Sequence, residues 1–160
     1  MTKPRTAKIV WFRLGTDYFA ADIFSVERVL RYQPPTTVPG MPDWVEGVIE
    51  YQSKVVPVVS LRRRFQLPAA APTGETRILI VKAGDDWIGA VVDAVLEVTS
   101  FDEALMSPPP PLFRGLTGEY LRGIVRLNDR LLIFLEMDRL LSSEERLTLE
   151  RVSEEALPNG

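Results

Sequence analysis

Two carboxylates are the first candidates for chemistry in this 160-residue chain. Asp22 and Asp93 each follow a short apolar stretch, and a pair of carboxylates could divide general acid and general base work between them. The chain has no cysteine and no histidine. That composition excludes a disulfide framework, a cysteine nucleophile, histidine-ligated zinc and a Ser-His-Asp triad. Only carboxylate, Lys, Tyr, Ser and Thr groups are left for catalysis, so we expect neither an enzyme nor a cofactor.

Short segments rich in β-branched and aromatic residues predict an all-β fold. Proline-rich stretches at 32–42, 68–74 and 108–111 predict loops between them. Pro57 lies inside a predicted strand, which indicates a sheet edge or a bulge there. The spacing of Ser142 and Glu145 matches a capping box and predicts a short C-terminal α-helix over about 142–156. The predicted strands are 8–14, 18–23, 25–31, 47–51, 54–59, 77–83, 87–92, 95–101, 120–127 and 130–136.

This pattern of strands occurs twice along the chain. A shift of 69 residues aligns Gly15 with Gly84, and a shift of 76 residues aligns Gly47 with Gly123. Such agreement indicates one five-stranded unit used twice. Units this small should pack together with approximate two-fold symmetry, each as a closed or nearly closed barrel. We interpret Gly47 and Gly123 as positions where the missing Cβ permits a bulge or a close backbone approach.

The repeat predicts a single domain with subdomain one at about 8–68 and subdomain two at about 76–141. It also separates the two carboxylates, because it aligns Asp22 with Val91 and Asp93 with Phe24. Their proximity is therefore not implied, and we interpret both as structural.

The charge distribution argues against nucleic acid as a partner. The chain has 19 Lys and Arg against 22 Asp and Glu, and the whole net charge of −3 comes from five glutamates and two arginines in residues 142–160. Nucleic-acid-binding proteins usually show a basic excess, so a nucleic-acid-binding β-barrel is the weaker alternative. The basic cluster at 62–64 is either a solvated face or a partner contact. No stretch is apolar enough for a membrane span or a signal peptide, so we expect a cytoplasmic protein without direct membrane insertion.

Several separated motifs resemble the chemotaxis coupling protein family, CheW. The resemblance covers about residues 8–141 and implies two SH3-like five-stranded barrels. It further implies a non-catalytic adaptor that bridges the cytoplasmic tip of membrane chemoreceptors and the regulatory domain of a CheA-type histidine kinase, in membrane-associated receptor arrays. The motifs are VPGMPDWVEGVI (38–49), VVPVVSLR (55–62), TGEYLRG (117–123) and RLLIFL (130–135), together with FRLG (12–15), YFAADI (18–23) and IGAVVD (88–93).

The resemblance also implies two contact surfaces. The receptor tip would dock in a groove between the barrels, and core packing is the alternative for the two aliphatic residues of this set: Ile23, Val26, Arg28, Glu50 and Gln52. The kinase would contact the barrel rims, and a buried core position is the alternative for the tryptophan of this second set: Val38, Met41, Trp44, Leu116 and Tyr120.

The chain departs from the family pattern at the expected receptor surface. The family usually reads Asn-Leu-Arg-Gly where this chain has Glu50-Tyr51-Gln52-Ser53, so Gln52 replaces an arginine. Arg28 stands where an acidic residue is frequent. An adaptor of a non-motility chemosensory pathway, with altered receptor binding, is therefore the alternative function.

Overall fold

The computed structural model of the chain describes residues 6–108, 120–140 and 145. Within them, every predicted strand is confirmed to within two residues at each end. The strands are β1 (Thr6–Leu14), β2 (Asp17–Asp22), β3 (Val26–Arg31), β4 (Val45–Tyr51), β5 (Lys54–Ser60), β6 (Arg77–Ala83), β7 (Asp86–Val92), β8 (Ala94–Asp102), β9 (Met106–Ser107), β10 (Leu121–Leu127) and β11 (Arg130–Leu135).

Short helical turns join several of these strands. One turn of α-helix, α1 (Leu61–Arg64), follows β5, and 3-10 turns occupy Ile23–Ser25, Glu103–Leu105 and Met137–Arg139. Ser60 caps α1 by accepting the Arg63 N–H. The C-terminal helix predicted over about 142–156 lies outside the described residues except for Glu145, which is helical.

Two hairpins make the repeat visible in the backbone. Gln52 and Ser53 have φ of 48° and 63°, and Asn128 and Asp129 have φ of 50° and 61°. Two consecutive left-handed residues are what a type I′ turn requires, and its twist matches that of the flanking strands. The two turns are equivalent under the 76-residue shift.

The sheets exchange strands between the two halves of the chain. The order is β8-β1-β2-β11-β10-β9 in one sheet and β3-β6-β7-β5-β4 in the other. Strands β1 and β2 therefore join strands of the second half, while β6 and β7 join strands of the first. The segments 8–68 and 76–141 are units of the sequence repeat, whereas each hydrogen-bonded sheet is built from both.

Each sheet curls towards closure by the same device, which supports the predicted all-β fold of two small barrels. In the six-stranded sheet, hereafter barrel A, β9 continues the chain from β8 and pairs Met106 with Val125 on β10. In the five-stranded sheet, barrel B, Thr36 lies beyond β3 and bridges to Val48 on β4. The chain after the third strand of each half thus returns to pair with the fourth.

Gly47 and Gly123 lie where these closing segments approach. A Cβ on Gly47 would be 2.2 Å from the Thr36 carbonyl oxygen, and one on Gly123 would be 2.6 Å from Met106 Cγ. The strand register also shifts next to both glycines. The interpretation of these glycines as sites of close approach is therefore confirmed.

Apolar side chains form three clusters, one inside each barrel and one between the barrels. Strand β1 shows how they arise, because Ile9 and Trp11 point into barrel A while Phe12 and Leu14 point into the cluster between the barrels. Strand β6 alternates equivalently, with Ile78 inside barrel B. We call the cluster between the barrels the seam: Val10, Phe12, Leu14, Phe19, Ala21, Val59, Leu61, Leu79, Val81, Ala83, Ile88, Ala90, Val92, Tyr120, Leu135, Met137 and Leu140.

The edge or bulge predicted at Pro57 is wrong. Strand β5 lies between β7 and β4, and Pro57 is in regular register with Val48. The missing N–H has a different effect, because pairing of β5 with β7 starts only at Val58. In the other half, the equivalent ladder of β11 with β2 starts at Leu132, two positions earlier in the repeat.

An ion pair fastens one side of the seam. Arg62 Nε donates to Asp93 Oδ1 at 2.9 Å, and the Arg62 Nη2 group donates to Oδ2. The Gly15 N–H also donates to Asp93 Oδ2, at 2.7 Å. Burial alone would raise the pKa of Asp93, but the hydrogen bonds from Arg62 and Gly15 and the nearby arginine charges outweigh it and lower that pKa. Asp93 therefore stabilises the fold as a carboxylate.

We expect Gly47→Ala to destabilise the protein by at least about 2 kcal/mol, because the new Cβ would overlap the Thr36 carbonyl at a φ of 146°. Gly74→Ala is the matched control, since a Cβ there meets nothing within 4 Å. Urea unfolding of both variants measures the difference. Equal stabilities would show that the close approach at Gly47 is not a constraint.

Asp93→Asn should cost about 1–3 kcal/mol of stability at pH 7, because it removes a charge-assisted hydrogen-bond acceptor. A lowered pKa means that the carboxylate stabilises the fold above the ordinary value of 3.8, and that this contribution is lost as the pH falls below it. The cost measured by urea unfolding should therefore shrink between pH 6 and pH 3. Asp85→Asn, in an exposed turn, is the control, and a pH-independent cost for Asp93→Asn would contradict the assignment.

Candidate functional site

Two grooves open on the seam and correspond to each other under the repeat. Groove one has a volume of about 510 Å³ and lies between the loop 37–43, the linker 69–72 and the seam. Groove two has a volume of about 650 Å³ and lies between the 3-10 turn after β2 and the one after β11. The shifts of 69 and 76 residues place Ser60, Arg62 and Asp93 of groove one on Glu136, Asp138 and Phe24 of groove two.

The equivalent positions carry different chemistry. In groove one, the Arg62–Asp93 ion pair joins the two halves at the groove wall. In groove two, the position of Asp93 is held by Phe24, whose side chain is 87% exposed. Lys82 and Arg122 also line groove two. An apolar anchor beside cationic side chains is thus presented on this side of the seam.

Phe24 is a functional candidate that the sequence analysis did not select. The repeat already aligned it with Asp93, and a phenylalanine opposite a carboxylate at equivalent positions was the available signal. The 3-10 turn that presents it is capped by Asp22, whose Oδ1 accepts the Phe24 N–H at 2.9 Å. Asp22 is therefore structural, like Asp93.

The expected receptor residues lie towards one end of barrel B. Ile23 and Val26 are half-buried, and Val26 packs against the seam. Arg28 is exposed on β3. Exposed residues Glu50 and Gln52 lie at the β4–β5 hairpin, towards the same end of the sheet, with β6 and β7 between them and β3. The structure thus places this set at one end without joining its two parts.

The hairpin end of barrel B is packed by aromatic residues. Tyr51 and Trp87 have ring centroids 5.2 Å apart, and Lys54 Nζ lies 5.0 Å from the Trp87 ring centroid. The Gln52 amide donates to the Tyr51 hydroxyl at 3.3 Å. These contacts hold the hairpin while the Gln52 side chain stays at the surface.

The expected kinase residues divide into exposed and structural ones. Val38 and Met41 are half-buried and line groove one. Trp44 is also half-buried, but it packs against the seam, and its carbonyl accepts the Ser60 N–H at 2.8 Å. Tyr120 is only 5% exposed and belongs to the seam. Leu116 lies outside the described residues.

The burial of Tyr120 has a clear cause. Its ring is 5.4 Å from Phe65, which in turn stacks on Phe19. Burial raises the pKa of the Tyr120 hydroxyl, which the charge of Arg64 lowers and that of Glu145 raises. In this conformation the ring is not available as a surface anchor.

Neither interpretation of the basic cluster at 62–64 describes it fully. Arg62 is held by Asp93 and also donates to the Pro68 carbonyl at 2.7 Å. Arg64 donates to the Leu140 carbonyl at 3.1 Å and to Glu145 at 2.9 Å. Arg63 is exposed. Two of the three arginines therefore connect the halves of the chain, which the sequence could not show because their partners are 31 to 81 residues away.

Groove one contains a second carboxylate held by its neighbours. The Tyr32 hydroxyl donates to Glu46 Oε1 at 3.3 Å. Burial raises the pKa of Glu46, an effect that this hydrogen bond and the charge of Arg63 oppose. Burial and the charge of Glu46 likewise raise the pKa of Tyr32.

Neither groove assembles a recognisable reaction centre from these groups. In the part of the chain that the structure describes, no three carboxylates converge as a metal site. Over the same residues, no helix is long and apolar enough to cross a membrane. The grooves instead offer aliphatic and aromatic anchors within a polar rim, which is the composition of a protein-binding surface.

Comparisons with known proteins agree with this assessment. The CheW-like domain family matches residues 8–145. The chain is 31% identical over 142 residues to the chemotaxis protein CheW of Klebsiella aerogenes, covering 89% of this chain and 86% of that protein. It is also 31% identical over 137 residues to the chemotaxis protein CheW of Bacillus subtilis, covering 86% and 88% respectively.

The fold agrees as well. The crystal structure of the scaffolding protein TtCheW from Thermoanaerobacter tengcongensis superposes with a TM-score of 0.80 at 32% identity, covering 89% of this chain and 97% of that one. The match extends over both barrels and nearly the whole described chain. This protein belongs to the CheW-like family of chemotaxis scaffold proteins.

Proposed function

We propose that this protein is a non-catalytic cytoplasmic adaptor that couples membrane chemoreceptors to a CheA-type histidine kinase. The observation that carries the proposal is the family match over residues 8–145, on a chain whose two seam grooves offer binding anchors and no assembled reaction centre. The absence of histidine and cysteine from the sequence supports a role without catalysis.

The kinase surface is proposed at groove one. Val38 and Met41 present aliphatic side chains there, on a loop that prolines 39 and 42 stiffen. Trp44 supports this loop from below, because its side chain packs on the seam. A charged residue at position 44 would therefore disturb the core as well as the surface, which makes Met41 the cleaner probe.

The receptor surface is proposed at groove two and the adjoining end of barrel B. The exposed Phe24 lies between Ile23 and Val26 in sequence and extends the predicted receptor set into the groove. An amphipathic helix recognised by such a groove would place an apolar residue against Phe24. The departures at Gln52 and Arg28 favour, as the second candidate, an adaptor whose receptor serves a non-motility chemosensory pathway.

We expect Met41→Glu to weaken binding of a CheA-type regulatory domain by about tenfold or more, because a charge would replace an apolar anchor in the interface. Isothermal titration calorimetry with the kinase domain from the same gene cluster measures this. Leu131→Glu, at an exposed leucine of barrel A, is the matched control. Unchanged affinity of a folded Met41→Glu variant would place the kinase elsewhere.

Gln52→Arg should strengthen association with the receptor tip roughly two- to fivefold, which is the scale of one exposed charge interaction. Asn128→Arg is the control, because it makes the same change at the equivalent turn position, where φ is 50° instead of 48°. Co-sedimentation with receptor signalling fragments gives the affinities. An equal gain in both variants, or none in Gln52→Arg, would remove the hairpin from the receptor surface.

A further inference from the structure

Arg64 joins the two halves of the chain at a place where the repeat is not symmetric. It is the last residue of α1, and its guanidinium lies 5.7 Å from the centroid of the Tyr120 ring. Its Nη2 group donates to the Leu140 carbonyl at 3.1 Å and to Glu145 Oε1 at 2.9 Å. The side chains of Arg64 and Glu145 are 23% and 22% exposed, so this ion pair is largely shielded from water.

The other half of the repeat provides an internal comparison. Trp44 is equivalent to Tyr120, and the backbone treats them alike, since each carbonyl accepts an N–H of the strand end at 2.8 Å. The position equivalent to Arg64 is Leu140, which cannot form such an ion pair. Trp44 remains half-buried while Tyr120 is 5% exposed. The deeper burial is found on the side that has the Arg64–Glu145 pair.

The pair is not built for maximum stability. Arg64 Nε is buried and has no hydrogen-bond partner among the described residues. A shielded ion pair with an unsatisfied donor recovers only part of its desolvation cost. Such a contact can hold a segment in place and still release it when a competing partner binds.

We propose that Glu145 latches the C-terminal segment onto Arg64 and so covers Tyr120, and that release of this latch opens the Tyr120–Phe65 pair to the kinase. The second part rests on the proposed function and explains how a residue predicted at the kinase rim can be buried in the free protein. The occupant of the covered surface is this chain's own Glu145.

Nitration by tetranitromethane tests the latch without any partner. The reagent modifies accessible tyrosines, and Tyr51, which is 8% exposed and remote from the latch, is the internal reference. We expect both Arg64→Gln and Glu145→Gln to raise the ratio of Tyr120 to Tyr51 nitration by about tenfold, the scale of one lost charge-assisted hydrogen bond. Glu75→Gln, which removes an exposed carboxylate, should leave the ratio unchanged.

The two variants separate exposure from electrostatics. The charge of Arg64 lowers the pKa of Tyr120, so its removal would slow nitration if only the charge mattered. A faster reaction in Arg64→Gln therefore supports the latch, and an unchanged or slower one overturns it. If Arg64→Gln does not fold, Arg64→Lys replaces it with the same expectation, because one ammonium group reproduces the guanidinium geometry poorly.

Binding of the kinase regulatory domain tests the consequence. We expect Glu145→Gln to bind it several-fold more tightly than the unmodified protein, since the partner no longer has to displace the latch. Faster nitration with unchanged affinity would overturn the role of the latch in kinase access. Absence of kinase binding by the unmodified protein and the variant alike would instead overturn the proposed function, and nitration would still decide whether the latch exists.

Discussion

The seam is the interaction on which the rest of the structure depends. Strands β1 and β6 bury side chains on both faces, one inside a barrel and one between the barrels. Each barrel interior is small, and neither half keeps its strands in one sheet. Burial of the seam, at about 25 cal/mol per Å² of apolar surface, therefore stabilises both barrels at once and fixes their relative position.

The repeat gives the molecule two equivalent grooves, and the differences between them give it two distinct surfaces. Groove one is fastened by Arg62 and Asp93, whereas groove two presents Phe24 at the equivalent place. The latch on Tyr120 likewise has no counterpart at Trp44, because position 140 is a leucine. An adaptor that must distinguish two partners needs such asymmetry, which a few substitutions produced on a symmetric frame.

Strands and turns were predictable because their signals are local. Alternating apolar residues and turn pairs such as Asn128-Asp129 predict hairpins directly. The exchange of strands was not predictable, because the repeat describes the order of strands and not their hydrogen-bonding partners. Helix α1 is too short for a helical period, and the Arg62–Asp93 pair joins residues 31 positions apart. For the same reason, the sequence could not distinguish the exposed Phe24 from the buried Tyr120.

The central claim is that one chain holds a receptor tip and a kinase regulatory domain at the same time, on separate surfaces of a rigid body. Analytical ultracentrifugation of the three purified components from one gene cluster tests it most directly. The account predicts a ternary complex in which each partner binds with the affinity it has alone. Two partners that displace one another, or a protein that binds only one of them, would contradict it.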